Sequence, residues 1–154
     1  MTGRIELRLV ALGIQLPDPP LPAASYVPTV QTGSLVFISG QISQLDGALI
    51  TGKLGEDMDL AAGVLAARSC GLSLLAQMKR ACGGDLDRVV RVVKLTGFVN
   101  SSPGFTDQPK VINGCSDLLV EVFGDAGRHA RSAVSAPSLP LGVAVEVEAI
   151  IEVG

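Results

Sequence analysis

The sequence predicts an α+β domain in which two helices cover one face of a mixed sheet. Three observations carry this expectation. Near the C-terminus the chain alternates, with Val143, Val145, Val147, Ala149, Ile151 and Val153 on one side and Ala144, Glu146, Glu148, Ile150 and Glu152 on the other, the period of a strand with one buried face. Two longer segments carry apolar residues at helical spacing instead. β-branched stretches lie before, between and after them, so the order is strands, helix, strand, helix, strands.

The 154 residues are 47% hydrophobic and 18% charged. That is the length and composition of one folded domain, read here as residues 1–154 with an N-terminal helix and Pro-rich connector over 1–22. The formal net charge is −3, there is no Trp, and no basic block occurs. The electrostatic and stacking footprint of a nucleic-acid binder is therefore missing. No apolar run reaches the roughly 18 residues of a membrane span. Arg4, Glu6 and Arg8 interrupt the first eleven residues, unlike a secretory signal, and the expected location is cytoplasmic.

Taken in order, residues 3–14 suit a short amphipathic helix with Ile5, Leu9 and Leu12 on one side, stopped by the Asp18-Pro19-Pro20-Leu21-Pro22 connector. Ser25–Gln31 and Leu35–Ile38 read as strands joined by a Thr32-Gly33-Ser34 hairpin break, with Ser39-Gly40 ending the second. Residues 43–57 read as a loop that could hold a short strand. Asp59–Cys82 is the strongest helix, with Leu60, Val64, Ala67, Gly71, Leu74, Leu75, Met78 and Cys82 on one face, Ser69, Ser73 and Gln77 largely elsewhere, and Gly83-Gly84 as its stop. Arg88–Val99 reads as an interior strand, Gln108–Phe123 as the second helix ending at Gly124, and Arg131–Ser135 as a short strand. Two helices leave the opposite sheet face without a cover, so it is a candidate oligomer interface.

Several chemistries are excluded by residue supply. Three scattered cysteines, Cys70, Cys82 and Cys115, make no disulfide framework. A single histidine, His129, and no CxxC or HxxxH pattern leave no zinc site. There is no GxSxG elbow, GxGxxG or GxxxxGK[ST] loop. The polar residues that remain are Tyr26, Ser39, Asn113, Arg131 and Glu146. An arginine at a strand start can grip a carboxylate with two parallel hydrogen bonds; otherwise Arg131 is a solvated or ion-paired surface residue. Glu146 could position a water and move its proton, or simply face outward beside Glu148. Tyr26 and Asn113 have ordinary packing and solvated readings, His129 a structural or exposed one, and Cys115 that of a buried thiol.

Four segments add a resemblance. Leu35-Val36-Phe37-Ile38-Ser39-Gly40-Gln41, Arg88–Leu95, His129-Ala130-Arg131-Ser132-Ala133-Val134 and Leu139–Ile150 resemble, in the right order, the reactive intermediate deaminase (Rid) family. This family is also called YjgF-like and carries the labels L-PSP endoribonuclease and translation initiation inhibitor. The match covers Ser25 to Ile151. The longer N-terminus and the 100–107 segment look like a bacterial branch with a chorismate-mutase-like label.

The resemblance implies a chorismate-mutase-like fold and a homotrimer with clefts between subunits. By residue, it implies that Arg131 binds a substrate carboxylate and that Glu146 holds the attacking water. Tyr26 and Ser39 line the pocket, with Asn113 and the backbone at Ala133 as further contacts. Archetypal members carry a cysteine where this chain has Ala133, so any role of that thiol is lost. The implied reaction is hydrolysis of a 2-imino acid, such as an imine derived from 2-aminoacrylate, to a 2-keto acid and ammonia, without metal or organic cofactor. The alternatives are a regulatory trimer that binds keto acids or other small carboxylates without turnover, and an endoribonuclease or translation inhibitor.

Overall fold

The computed structural model describes residues 2–22 and 24–154. A short helix, α1 (Arg4–Ala11), opens the chain. Its N-cap, Gly3, has no side chain to satisfy the first amides. Asp87 does so from far along the chain, accepting Arg4 N at 2.9 Å on Oδ2 and Ile5 N at 2.8 Å on Oδ1. This distant carboxylate replaces the usual local cap and docks Ile5 and Leu9 into the core. Residues 14–22, rich in proline, form neither helix nor strand, and β1 (Thr29–Thr32) follows further along the chain.

β1 pairs with β2 (Leu35–Ile42) through a tight turn. The expected Ser25–Gln31 strand starts later, because Pro28 has no amide to give a ladder. β2, in turn, does not end at Ser39-Gly40 as the sequence predicts. It continues through a bulge between Ile38 and Gln41, which inserts residues without ending the pairing. The predicted loop holds a small hairpin, β3 (Gln44–Leu45) and β4 (Ala48–Leu49), turned by Asp46 and Gly47, both with positive φ. Such an Asp-Gly turn matches the twist of its strands.

α2 (Leu60–Ala81) is capped by the Asp59 side chain, which accepts Ala62 N at 2.8 Å. β5 (Val89–Asn100), α3 (Gln108–Phe123), β6 (Ala130–Ala136) and β7 (Val145–Val153) complete the chain. The large sheet has the order β1-β2-β7-β5-β6. β5 and β6 run parallel, linked by α3 as the crossover, while the other neighbouring strands are antiparallel. β5 is an interior strand, as predicted.

Both long helices lie on one face of the sheet, over Val36, Ile38, Val92, Leu95, Val147, Ala149 and Ile151. They approach closely where Gly114 of α3 meets α2. A Cβ at Gly114 would stand 2.1 Å from the Val64 carbonyl oxygen, so only glycine fits the crossing. α2 is long and apolar enough by composition to cross a membrane. Here it is an interior helix, and it is buried on more sides than its apolar stripe foretells. Ser69, Ser73 and Gln77 are all buried, because the N-terminal segment and β3 cover that flank. Cys70, Cys82 and Cys115 are free thiols in the core; burial drives Cys115 up to about 12 and Cys70 well above the usual thiol range. The other sheet face carries Val30, Phe37 and Val134, each exposed, with Phe98 and Ile150 half-buried among them.

Candidate functional site

The sequence-selected residues fall into two groups in different parts of the chain. The first lies at a cleft of about 870 Å³ lined by Tyr26, Ser39, Gly40, Gln41, Gln77, Leu141 and Glu146, with Pro20, Leu21, Pro22 and Pro28 forming an apolar wall. Its volume and its mixture of apolar wall and few polar groups suit a small molecule. Here the β2 bulge matters. It brings Ser39 and Gly40 under the side chain of Glu146, which projects from the helix-free face of β7. A Cβ on Gly40 would fall 2.2 Å from Glu146 Oε2; glycine at this position lets the carboxylate lie over the β2 backbone.

Glu146 is half-buried, and its carboxyl titrates above the ordinary range, first because burial disfavours the charged form and second because Glu148 adds like charge. A carboxylate so tuned can take up a proton closer to neutral pH than a solvated one.

Ser39 has its hydroxyl committed. It donates to Val27 O at 2.7 Å, while Ser39 N donates to Pro28 O at 2.9 Å. These bonds fasten the loop that bears Tyr26 to β2, so Ser39 shapes the cleft. Two amides that the sequence did not single out brace it from beneath. Gln41 Nε2 donates to Ser39 O at 2.8 Å, and Gln77 Nε2 donates to Pro20 O at 2.8 Å and, more weakly, to Gln41 Oε1 at 3.4 Å. Gln77 thereby holds the proline wall against α2.

The second group sits at the β6 edge. Arg131 is in register with Leu95, so it leans toward the helix layer, onto α3. Nη1 donates to Asn113 Oδ1 at 2.8 Å and to Ser116 Oγ at 3.2 Å, and Nη2 donates to Pro109 O at 3.3 Å. Asn113 is thus a holder of the arginine. Three of the five guanidinium N–H groups are used in these bonds; those on Nε and the second of Nη2 remain for a ligand. Ala133 is in register with Gly97 and packs partly buried against the core. Neither Arg131, Asn113 nor Ala133 is among the described residues lining the cleft. Among the described residues no cluster of three or more His, Cys, Asp or Glu side chains is arranged to hold a metal ion.

Two long helices lie on one face of a mixed sheet, and among the described residues no helix covers the other face. Residues 6–153 match the family described as "YjgF/chorismate_mutase-like, putative endoribonuclease", and the chain belongs to that family. Protein TCP17 of Trypanosoma cruzi is 50% identical over 153 residues, covering 98% of this chain and 95% of that protein. The crystal structure of Atu1372, a protein of unknown function from Agrobacterium tumefaciens, has 46% identity and a TM-score of 0.89, covering 97% of this chain and 94% of that one. A 2-iminobutanoate/2-iminopropanoate deaminase of Dermatophagoides farinae is 27% identical over 140 residues, covering 90% of this chain and 93% of that enzyme. The fold and the family are those the four sequence segments imply.

Proposed function

We propose that the chain is an imine deaminase that hydrolyses 2-imino acids to 2-keto acids and ammonia, acting as a homotrimer with its sites between subunits. The observation that carries this reading is the half-buried Glu146 carboxyl at the cleft, its proton affinity raised by burial. The relative named as an imine deaminase supports it. So does the arginine fork, tied to α3 with two N–H groups left over.

Arg131 and Glu146 lie apart within one chain. Arg131 leans on the helix layer at one sheet edge, whereas Glu146 is on the helix-free face of the central strand. This separation supports a site in which the arginine comes from a neighbouring copy. The uncovered apolar face with Val30, Phe37 and Val134 offers the surface on which copies would associate.

In the composite site Arg131 binds the substrate carboxylate and fixes the imine carbon in front of the Glu146 cleft. Glu146 accepts a proton from water as the oxygen attacks that carbon, giving a carbinolamine. That proton passes to the nitrogen, and the carbinol O–H proton follows it by way of Glu146 as the C–N bond breaks, so that ammonia leaves and the keto acid C=O forms. The imine is already electrophilic, so positioning and one proton carrier suffice.

The test is ammonia release from freshly generated 2-aminoacrylate-derived imine. Acceleration that disappears in Arg131→Ala and in Glu146→Gln supports the reading. Saturable keto-acid binding without acceleration would replace it with a regulatory carboxylate-binding role.

A further inference from the structure

We propose that Ser116 and His129 are positioning residues that hold the Arg131 guanidinium ready for a carboxylate, an inference that rests on the proposed role of Arg131. Neither residue drew functional weight from the sequence, where His129 read as structural or exposed. The structure joins them into one chain of hydrogen bonds ending on the arginine. His129 Nδ1 lies 2.6 Å from Gly127 O. A carbonyl oxygen can only accept, so Nδ1 carries the hydrogen, and in the neutral ring Nε2 is an acceptor. Ser116 Oγ is 2.9 Å from that Nε2, so the serine donates its hydrogen there. Its lone pairs are thereby turned toward Arg131 Nη1, which donates to them at 3.2 Å.

The direction of every bond follows from the Gly127 carbonyl, and it matters for the arginine. Without the ring acceptor, the Ser116 hydroxyl is free to rotate and present its hydrogen to the guanidinium instead of a lone pair. Asn113 Oδ1 would then be the remaining side-chain acceptor on Nη1. A guanidinium held by three acceptors loses less freedom on binding a carboxylate than one held by two.

Protonating His129 breaks the same device. Nε2 would then donate to Ser116 Oγ, and a second positive charge would stand beside Arg131. The ring resists this: burial first, and the Arg131 charge as well, hold its proton affinity below the ordinary histidine value, against an opposing pull from the Gly127 carbonyl. The other charges near the ring belong to its own loop, to α3 and to β5. Asp125 and Arg128 pair with each other at 3.4 Å, Arg91 Nη2 on β5 donates to Arg128 O at 3.0 Å, and Asp117 on α3 is exposed.

The experiment measures imine-hydrolysis kinetics and the Kd of 2-oxobutanoate between pH 5 and 8 for the full chain and its variants. Ser116→Ala and His129→Ala are expected to raise KM and Kd about three- to tenfold, the size of one indirect hydrogen bond to a charged group. The loss should fall on KM rather than kcat. Ser116→Thr, which keeps a hydroxyl, and His129→Gln, which keeps an acceptor, should recover most of the affinity. In the wild-type protein Kd should rise as pH falls through the His129 titration, and this rise should be missing in His129→Gln. Arg131-dependent binding with unchanged KM, Kd and pH profile in the serine and histidine variants would overturn the positioning role alone. Binding that survives Arg131→Ala would overturn the site reading together with it. Should Ser116→Ala fail to fold, the pH profile of His129→Gln decides.

Discussion

The two polar groups of this chain are built in opposite ways. Glu146 stands on the central strand, half-buried over Gly40, in a cleft walled by prolines. Its surroundings offer it apolar surface and the like charge of Glu148, and both favour its protonated form. Arg131 stands on an edge strand, spread along α3 and held on three of its N–H groups by the polar acceptors Asn113, Ser116 and Pro109. One environment loosens the group's hold on its charge, while the other fixes a permanent charge in place. The contrast suits a division of labour between a group that must gain and lose a proton and a group that must never do so.

The comparison breaks most severely when either group is removed. Glu146→Gln should lower ammonia release by about a hundredfold or more, the scale of losing a general base, while keto-acid binding persists. Arg131→Ala should lose the binding as well. An inactive Arg131→Ala protein that still binds 2-oxobutanoate normally would contradict the assigned roles. A smaller effect is expected from Gly40→Ala. The new Cβ must displace the Glu146 carboxylate, 2.2 Å away, so kcat should fall about tenfold while circular dichroism stays unchanged.

The pH dependence sharpens the contrast further. In the proposed mechanism Glu146 acts only when ionised, so its proportion of active form falls with falling pH. Because its proton affinity is raised, that fall begins at a higher pH than for a solvated carboxyl. Removing the like charge with Glu148→Gln should move the acid limb of the kcat/KM profile to lower pH. An unmoved limb would mean that burial alone sets the value. In the scaffold that carries both groups, Gly114→Ala should destabilise the fold by about 1–3 kcal/mol, since the clash with Val64 O involves backbone and cannot be relieved by a side chain; thermal unfolding measures it.

The smallest expected effect is on α1. Asp87 titrates below its ordinary value, first because the Ile5 and Arg4 amides bind its charged form. A carboxylate with a lowered value gives stability that is present above its unfolded value and lost as pH falls through its folded one. Protection of the residue 4–11 amides, taken relative to the intrinsic exchange rate at each pH, should therefore fall at low pH and in Asp87→Asn, and at neutral pH Asp87→Asn should hydrolyse imine as the wild type does.

The sequence made the periodic elements legible. α2, α3 and β7 lie where their apolar spacing puts them, because a helix or strand with one buried face must repeat at 3.6 or 2 residues. Position-specific features were less readable. β2 runs on through Ser39-Gly40 because a bulge, not a turn, absorbs the glycine, and only the tight packing of Glu146 explains its presence. Gln77 is buried because the N-terminal proline segment lies over it, a long-range contact that periodicity does not encode. The candidate site residues were visible as chemical types, through their segments' likeness to a family. Their partners were not: Ser116 and His129 meet Arg131 only because the α3 crossover lays one helix along one edge strand.

The most direct measurement mixes two disabled proteins. Arg131→Ala and Glu146→Gln chains, each nearly inactive alone, would be unfolded together, refolded in equal amounts and assayed for ammonia release. If each site joins Arg131 of one copy to Glu146 of its neighbour, random trimers regain about a quarter of wild-type activity, since each site draws two intact halves with a chance of one half apiece. Activity that remains at the level of the separate variants in verified mixed trimers would contradict the shared site.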